Sequence, residues 1–462
     1  MNSSASELVE ELVGLIRTAP AGTRLPPTRE LQRRHRVGPA TVQRAVSDLA
    51  RQGLVRTQPG EGTFTVPRRP PVTAVGPDLD WQTLALGPVV PGADALAANL
   101  EVPAPGLVSL ATGYLDESLQ PTGLLALAAT RSARKAGAWS RPPLEGIDEL
   151  RSLFATELGG GTDRRDVLVT PGGQAALSTC FRSLARPGDT VLVESPTYQG
   201  ALAAARTAGL VPLGVPTDAE GLRVEMLADR LESSGARLIY AQPRWINPTG
   251  ARMSNARRAQ VLALLRSSGA LLIEDDAARD LDVAPSPFVP LATDDPDGHV
   301  VYLRSVTKSV APALRIAGLV ARGPAFTRLR AAHSVQNAFV STILQHVTCD
   351  VLTAPGWPRH LRRVRTELTQ RRNALTGALA RHLPDWTVPH TPTCGLHLWV
   401  RLPDGEDEDE VVRSSEAAGV RVIAGRHYYP AEAVGGHLRI SYAANPPASL
   451  ETAVRQIAGA RS

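Results

Sequence analysis

From about residue 91 onward, short apolar β-type runs alternate with stretches long enough to be helices. The runs fall at Val167–Thr170, 191–193, 238–240, 271–273 and 300–303. This alternation predicts a mostly parallel α/β sheet, because strands joined through helices pair side by side in one direction. From about residue 356 the pattern changes to a long Arg-rich helix over 360–372 and alternating strands at His397–Arg401 and His437–Ser441. That mixture predicts a smaller α+β subdomain. The acidic run 406–410 reads as a solvated helix start.

The chain has 462 residues, too many for one hydrophobic core. Its beginning follows a different plan. Leu8, Leu12, Leu15 and Ile16 form one helical face. A second helix is expected to start at Arg29-Glu30-Leu31, after Pro26-Pro27-Thr28, and is broken at Gly38-Pro39-Ala40. A third opens at Thr41, with Val42, Ala45, Val46 and Leu49 inward and Gln43, Arg44, Ser47 and Arg51 outward. Two β runs, 54–57 and 63–66, flank Gln58-Pro59-Gly60-Glu61-Gly62, the signature of a hairpin. Pro- and Gly-rich chain follows. The expected organisation is a head over 1–68, a linker over 69–90 and a body over 91–462.

Charge divides along the same boundary. Residues 1–69 hold 11 Arg against 6 acids, a net of +5, whereas the other 393 residues hold 39 basic and 39 acidic side chains. A basic head on a neutral body is the footprint of nucleic-acid binding. No apolar run approaches the roughly 20 residues that span a bilayer. The three cysteines, Cys180, Cys349 and Cys394, make neither a disulfide framework nor a metal pattern. A cytoplasmic protein without a metal site is expected.

Of the 50 basic residues, 48 are Arg, and the lysines are Lys135 and Lys308. A lysine kept in such a composition points to amine chemistry, since a guanidinium does not deprotonate. Lys308 follows a strand, with Ser305 and Thr307 before it and Arg315 after it. A strand-end lysine can form a Schiff base with an aldehyde cofactor. Ser305, Thr307 and a forked Arg315 can hold a phosphate. Gly172-Gly173-Gln174 joins a strand to a helix and offers backbone amides to an anion. Tyr198 offers a ring for stacking on a pyridine, Asn247 an amide for a phenolic oxygen, and Asp275 a carboxylate for a pyridinium nitrogen. Each sits at the C-terminal end of an expected strand, where parallel sheets bind ligands.

Three helices and a Gly-containing wing match a winged helix-turn-helix. The run from Leu25-Pro26-Pro27-Thr28-Arg29 through Thr41-Val42 to Gly62-Thr63-Phe64 resembles the GntR-type DNA-binding domain over nearly all of residues 6–66. That resemblance places the helix from Thr41 in the major groove and implies DNA contacts for Arg29, Thr41, Gln43 and Arg44, with the wing glycines Gly60 and Gly62 letting the chain approach the minor groove closely. Gly38-Pro39 stands where such domains often carry Ser-Arg. The body, in the order of its elements, resembles fold-type-I aminotransferases over about 91–460. With the head, with His360-Leu-Arg-Arg-Val-Arg, and with Cys394-Gly-Leu-His, the whole resembles the MocR-type regulators.

The resemblance implies pyridoxal 5'-phosphate as cofactor and Lys308 as the lysine bonded to it. Asp275 meets the pyridine nitrogen, Asn247 the 3-hydroxyl, and Tyr198 the ring face. Gly173, Gln174, Ser305, Thr307 and Arg315 surround the phosphate, and Arg439 receives the α-carboxylate of an amino-acid effector. A head-to-tail homodimer on double-stranded operator DNA is also implied. The family usually has a tyrosine where this chain has Ala277 or Ala278, and a partner-subunit tyrosine where it has Arg141. A regulator that senses the cofactor or an amino acid is therefore expected ahead of a working aminotransferase with an autoregulatory head, and ahead of a bare dimerisation platform.

Overall fold

The computed structural model describes residues 3–461 apart from 21, 52, 59–60, 67–78, 88 and 284–286. They form two units, Met1–Pro88 and Val89–Ser462.

In the first unit, α1 (Ser3–Thr18), α2 (Thr28–His35) and α3 (Pro39–Arg51) precede a hairpin of β1 (Val55–Gln58) and β2 (Gly62–Thr65). Leu8, Leu12, Ile16, Leu25, Leu31, Val42, Ala45, Leu49 and Val55 make its core. Two boundaries differ from expectation. The second helix ends at His35, where Arg36 takes a left-handed φ of 51° and its N–H returns to the Gln32 carbonyl. The third starts at Pro39, two residues before Thr41. Proline is suited to a first helical position, where its missing N–H costs nothing. Arg24 forms a bridge to Phe64 at the wing, which the sequence did not suggest. The expected linker contains a helix, α4 (Asp80–Leu86).

The second unit opens with α5 (Ala93–Leu100) and β3 (Val108–Ser109). Helices α6 (Thr122–Ser132) and α7 (Asp148–Leu158) lead into the main sheet. Its strands are β4 (Val167–Thr170), β5 (Thr190–Ser195), β6 (Val211–Asp218), β7 (Gly221–Leu222), β8 (Leu238–Ala241), β9 (Leu271–Asp276), β10 (Val300–Ser305) and β11 (Ala317–Val320). The spatial order is β4-β11-β10-β9-β8-β5-β6-β7. Strands β10, β9, β8, β5 and β6 run parallel, while β11 is antiparallel to both β10 and β4. Helices α8 (Gly173–Leu184) and α9 (Gln199–Thr207) follow β4 and β5.

One apolar cluster holds Leu150, Phe154, Val169, Leu192, Ile239 and Leu272, and a separate one holds Leu168, Phe181, Val193, Tyr240 and Ile273. Successive strand residues thus enter different cores, as a sheet covered on both faces requires. Each fully buried Leu or Phe contributes roughly 1.5–3 kcal/mol. The smaller subdomain joins the helix Trp357–His382 to β12 (His397–Arg401), β13 (Val420–Arg421), β14 (Ile423–Ala424) and β15 (His437–Ser441). Among the described residues, no helix is long and apolar enough to cross a membrane.

Candidate cofactor site and DNA-facing helix

The parallel strands extend further than the apolar runs suggested. Glu274, Asp275 and Asp276 lie inside β9, and Arg304 and Ser305 lie inside β10. Charged residues can continue a strand here because each finds a partner. Arg244 donates to Asp276 at 2.6 Å, and the Tyr302 hydroxyl donates to Asp276 at 2.7 Å. Arg304 reaches Glu157 at 3.0 Å and Asp280 at 2.8 Å.

Asp275 stands at the centre of the site. Its Oδ2 accepts from the Tyr240 hydroxyl at 2.8 Å and from Gln242 Nε2 at 3.2 Å. Its Oδ1 is buried with no partner. Burial raises its pKa to about 6 against the lowering hydrogen bond from Tyr240. Lys308 lies in the turn after β10. Its Nζ donates to the Gly113 carbonyl at 2.7 Å and sits 4.1 Å from the centre of the Tyr114 ring. Burial lowers its pKa to about 7; the charges of Arg439 and Arg315 add to that, and Asp275 opposes it. A large share of this amine is therefore uncharged at neutral pH.

At the other end of the site, α8 begins at Gly173, preceded by Gly172 at φ 92°. A Cβ on Gly172 would meet the Arg315 guanidinium at 2.5 Å, so only glycine permits this approach. Arg315 donates to the Pro171 carbonyl at 3.4 Å. Ser305 and Thr307 are buried, and Thr307 Oγ1 has no partner among the described residues. The Gln174 side chain is committed elsewhere. Its Nε2 donates to Gly200 O at 2.7 Å, and its Oε1 accepts from the Tyr198 hydroxyl at 3.2 Å. Its expected place around a phosphate thus reduces to its backbone N–H at the start of α8. Tyr198 is half-buried, and desolvation of its hydroxyl pushes the pKa up.

One cavity is lined by Lys308, Asn247, Tyr198 and Arg439 together. Arg439, on β15, donates through Nη2 to the Ala111 carbonyl, while its Nε is buried without a partner. Asn247 Oδ1 is 2.9 Å from His397 Nε2. The sequence reading assigned no role to Tyr114, Tyr240, Gln242, Trp245 or His397. His397 lies in the Cys394-Gly-Leu-His run, so its signal was present. Tyr240, on the neighbouring strand β8, and Gln242, just after it, reach Asp275, a relation that spacing does not reveal.

The donor set fits pyridoxal phosphate. It provides an amine with a large uncharged share, a buried carboxylate with one free oxygen, a free buried hydroxyl, and an arginine against a helix N-terminus. Because Lys308 titrates near 7, the rate at which cofactor-free protein captures pyridoxal phosphate is expected to rise with pH below that point. Attack needs the deprotonated amine, so each unit below 7 costs about tenfold, and the rate levels off above 7. Stopped-flow absorbance from pH 5.5 to 8.5 checks this; a flat profile contradicts it.

In the head, Gln43, Arg44 and Ser47 are exposed on α3, and Thr41 is half-buried. Arg29 is exposed at the start of α2. Arg34 is engaged, pairing with Glu11 and, at 2.9 Å, with Glu30. Arg51 pairs with Asp48. Arg29 and Arg44 form no ion pair among the described residues. Gly62 has φ 123°, and a Cβ there would meet Arg24 Nε at 2.6 Å. Gly60 lies outside the described residues.

The fold and site define an α/β pyridoxal-phosphate-type body on a chain that begins with a winged helix-turn-helix. Residues 107–457 match the family model for aminotransferase class I and II, and residues 5–65 match the model for bacterial regulatory proteins of the gntR family. The chain belongs to the class I and II aminotransferase family, with a GntR-type DNA-binding domain fused ahead of it, the arrangement of the MocR-type proteins. It is 28% identical to the HTH-type transcriptional regulator YdfD of Bacillus subtilis over 92% of this chain and 89% of that one. It is 31% identical to the 2-aminoadipate transaminase of Thermus thermophilus over 76% and 89%, respectively. The crystal structure of LysN, an α-aminoadipate aminotransferase from the same organism, superposes with a TM-score of 0.73 at 28% identity, covering 79% of this chain and 95% of that one.

Proposed function

We propose that this protein is a transcription regulator whose body binds pyridoxal phosphate and senses it, or an amino acid meeting it, to change how the head engages operator DNA. The observation that carries this reading is a complete cofactor set, Lys308, Asp275, Asn247, Thr307 and Arg315, on a chain whose α3 presents an unpaired Arg44. LysN, whose structure holds a phosphopyridoxyl-leucine, supports the choice of cofactor.

When bound, pyridoxal phosphate supplies an aldehyde for an amine and a ring that withdraws electrons. Lys308 presents Nζ as a nucleophile, made available by burial. Asp275 is held by Tyr240 and Gln242 with Oδ1 free, placed to keep a proton on a ring nitrogen. Thr307, Ser305, Arg315 and the amides of Gly173 and Gln174 hold a phosphate. Tyr198 covers a ring face, and Asn247, steadied by His397, meets a phenolic oxygen. Arg439 holds a carboxylate.

Ala277 and Ala278 offer no hydroxyl to that phenolic oxygen, which favours sensing over turnover. The apolar side chains of Trp139 and Val335 are 81% and 87% exposed in the single chain, which supports a homodimer that covers them. Operator affinity is expected to differ between cofactor-loaded and cofactor-free protein by at least about fivefold, the lower end of typical coupling between sites. Fluorescence anisotropy on the protein's own upstream DNA measures it. Multiple-turnover transamination over an amino-acid panel is expected to be slow or absent. Robust turnover with no change in DNA affinity would establish the enzyme reading instead.

A further inference from the structure

Hydrogen bonds join His397 to Asp275 through Asn247 and Gln242, and all of them run the same way. His397 Nε2 lies 2.9 Å from Asn247 Oδ1. The Asn247 backbone N–H donates to Gln242 Oε1 at 3.1 Å, and Gln242 Nε2 donates to Asp275 Oδ2 at 3.2 Å. All four residues are buried, none more than 8% exposed. Each bond lies within one chain, so nothing in this row depends on a partner subunit.

The direction of the row is forced. A backbone N–H can only donate, so the end of Gln242 facing Asn247 is its oxygen and the end facing Asp275 is its NH2. Asp275 Oδ2 accepts from that NH2 and from Tyr240, so any proton that Asp275 exchanges passes through Oδ1. At the other end, burial and the charges of Arg439 and Lys308 keep His397 from taking a second proton. Its one N–H faces the Asn247 oxygen from Nε2, and Nδ1 is buried without a partner. The Asn247 side-chain nitrogen is left to donate, and Asn247 lines the cavity with Lys308. Gln242 is also held from behind, where its backbone N–H donates to Glu194 Oε2 at 2.9 Å. Burial raises the Glu194 pKa to about 8, so at neutral pH that carboxyl is mostly protonated and the negative charge stays on Asp275.

At neutral pH the row thus offers an acceptor at Asp275 Oδ1 and a donor at Asn247 Nδ2. A ring with a proton on its nitrogen and none on its phenolic oxygen matches that polarity. A ring with the proton on the oxygen instead sets a lone pair against the carboxylate and an O–H against an N–H, and both contacts fail.

We infer that Gln242 and His397 are positioning residues that hold Asp275 and Asn247 as one unit, and that this unit selects pyridoxal phosphate with a protonated ring nitrogen and an ionised phenolic oxygen. The proposed roles of Asp275 and Asn247 underlie this assignment. Because Ala277 and Ala278 give the phenolic oxygen no hydroxyl, its partner is Asn247, whose direction the row fixes.

The test uses the full chain and three probes: pyridoxal phosphate, its analogue with carbon in place of the ring nitrogen, and its 3-O-methyl ether. All carry the same aldehyde and phosphate, so Lys308 and Arg315 serve them alike. The unmodified chain is expected to hold pyridoxal phosphate at least about tenfold tighter than either analogue, the scale of one hydrogen bond to a charged group. Gln242→Leu removes a side chain assigned to neither end of the ring. It is nevertheless expected to narrow both gaps by at least about threefold, the scale of coupling within one hydrogen-bond network. His397→Phe is expected to do the same from the other end. Nitrogen-15 NMR of labelled pyridoxal phosphate on the unmodified chain is expected to show a protonated ring nitrogen at neutral pH.

Equal affinity for the three probes, or an unprotonated ring nitrogen in the unmodified chain, would overturn the selection. Variants that weaken all three probes equally would leave Gln242 and His397 a structural role only and overturn their assignment. A variant that narrows only the gap at its nearer end would overturn the single unit. If neither variant holds any probe, the nitrogen-15 result on the unmodified chain decides. Failure of the unmodified chain to bind any probe would overturn the cofactor reading itself, whereas binding without a gap overturns this inference alone.

Discussion

Replacing Lys308 with alanine is expected to abolish the visible absorbance that the wild-type chain acquires with pyridoxal phosphate. The loss should be complete, because the other lysine is not placed to take over. Lys135 is bound up with Asp350 at 3.5 Å and His346 at 3.3 Å, and it does not line the cavity. Lys308→Arg should fail equally, since a guanidinium stays protonated and cannot attack an aldehyde.

Unfolding does not explain the expected loss, and a melting experiment shows the difference. The Lys308 pKa is lowered from 10.5 to about 7 in the fold. Between those values the unfolded chain binds the proton and the folded chain does not. The lysine therefore weakens the cofactor-free fold at neutral pH, and its contribution improves as pH rises through that window. Cofactor-free Lys308→Ala should melt no lower than cofactor-free wild type at pH 7. Visible absorbance surviving in Lys308→Ala would remove this residue from the proposed role.

Arg44→Ala is expected to weaken operator binding by about 1–3 kcal/mol, roughly five- to 150-fold, the range for losing one arginine that reads a base edge. The contrast with Arg34 makes the prediction specific. Arg34 pairs with Glu11 and Glu30, and Glu11 also meets His35 at 2.7 Å. Its charge is largely answered within the head, so Arg34→Ala should change affinity little. Arg44 has no such partner on α3. Anisotropy titrations at several salt concentrations would separate base reading from simple phosphate attraction, which weakens steeply with salt. A larger loss in Arg34→Ala than in Arg44→Ala would mean that α3 is not the reading helix.

Local residue order made much of this legible. Leu8, Leu12 and Ile16 share one helical face because a helix repeats every 3.6 residues, and all three are buried. Val167–Thr170 and His437–Ser441 could be placed to the residue because each is a short run that a strand buries. Lys308 stood out because arginine fills nearly every other basic position. Less was legible where charge interrupts an apolar run. Strands β9 and β10 continue through Asp275, Asp276, Arg304 and Ser305 because partners far along the chain satisfy them. Helix α5 carries little sequence signal, since four of its eight residues are alanine and none is buried.

By itself the sequence determined that a basic winged head precedes a neutral α/β body, and that the body keeps a lysine, an aspartate and an arginine in the order of a pyridoxal-phosphate site. Those are properties of composition and local periodicity, which act over a few residues. Tertiary structure alone decided the state of those groups. It desolvated the Lys308 amine until it titrates near 7, gave Asp275 two donors and one free oxygen, and turned the Gln174 side chain away to Tyr198 and Gly200. It also set α5 against the cavity beside Arg439. Desolvation and side-chain pairing depend on residues brought together from distant parts of the chain, and no spacing along the chain specifies them.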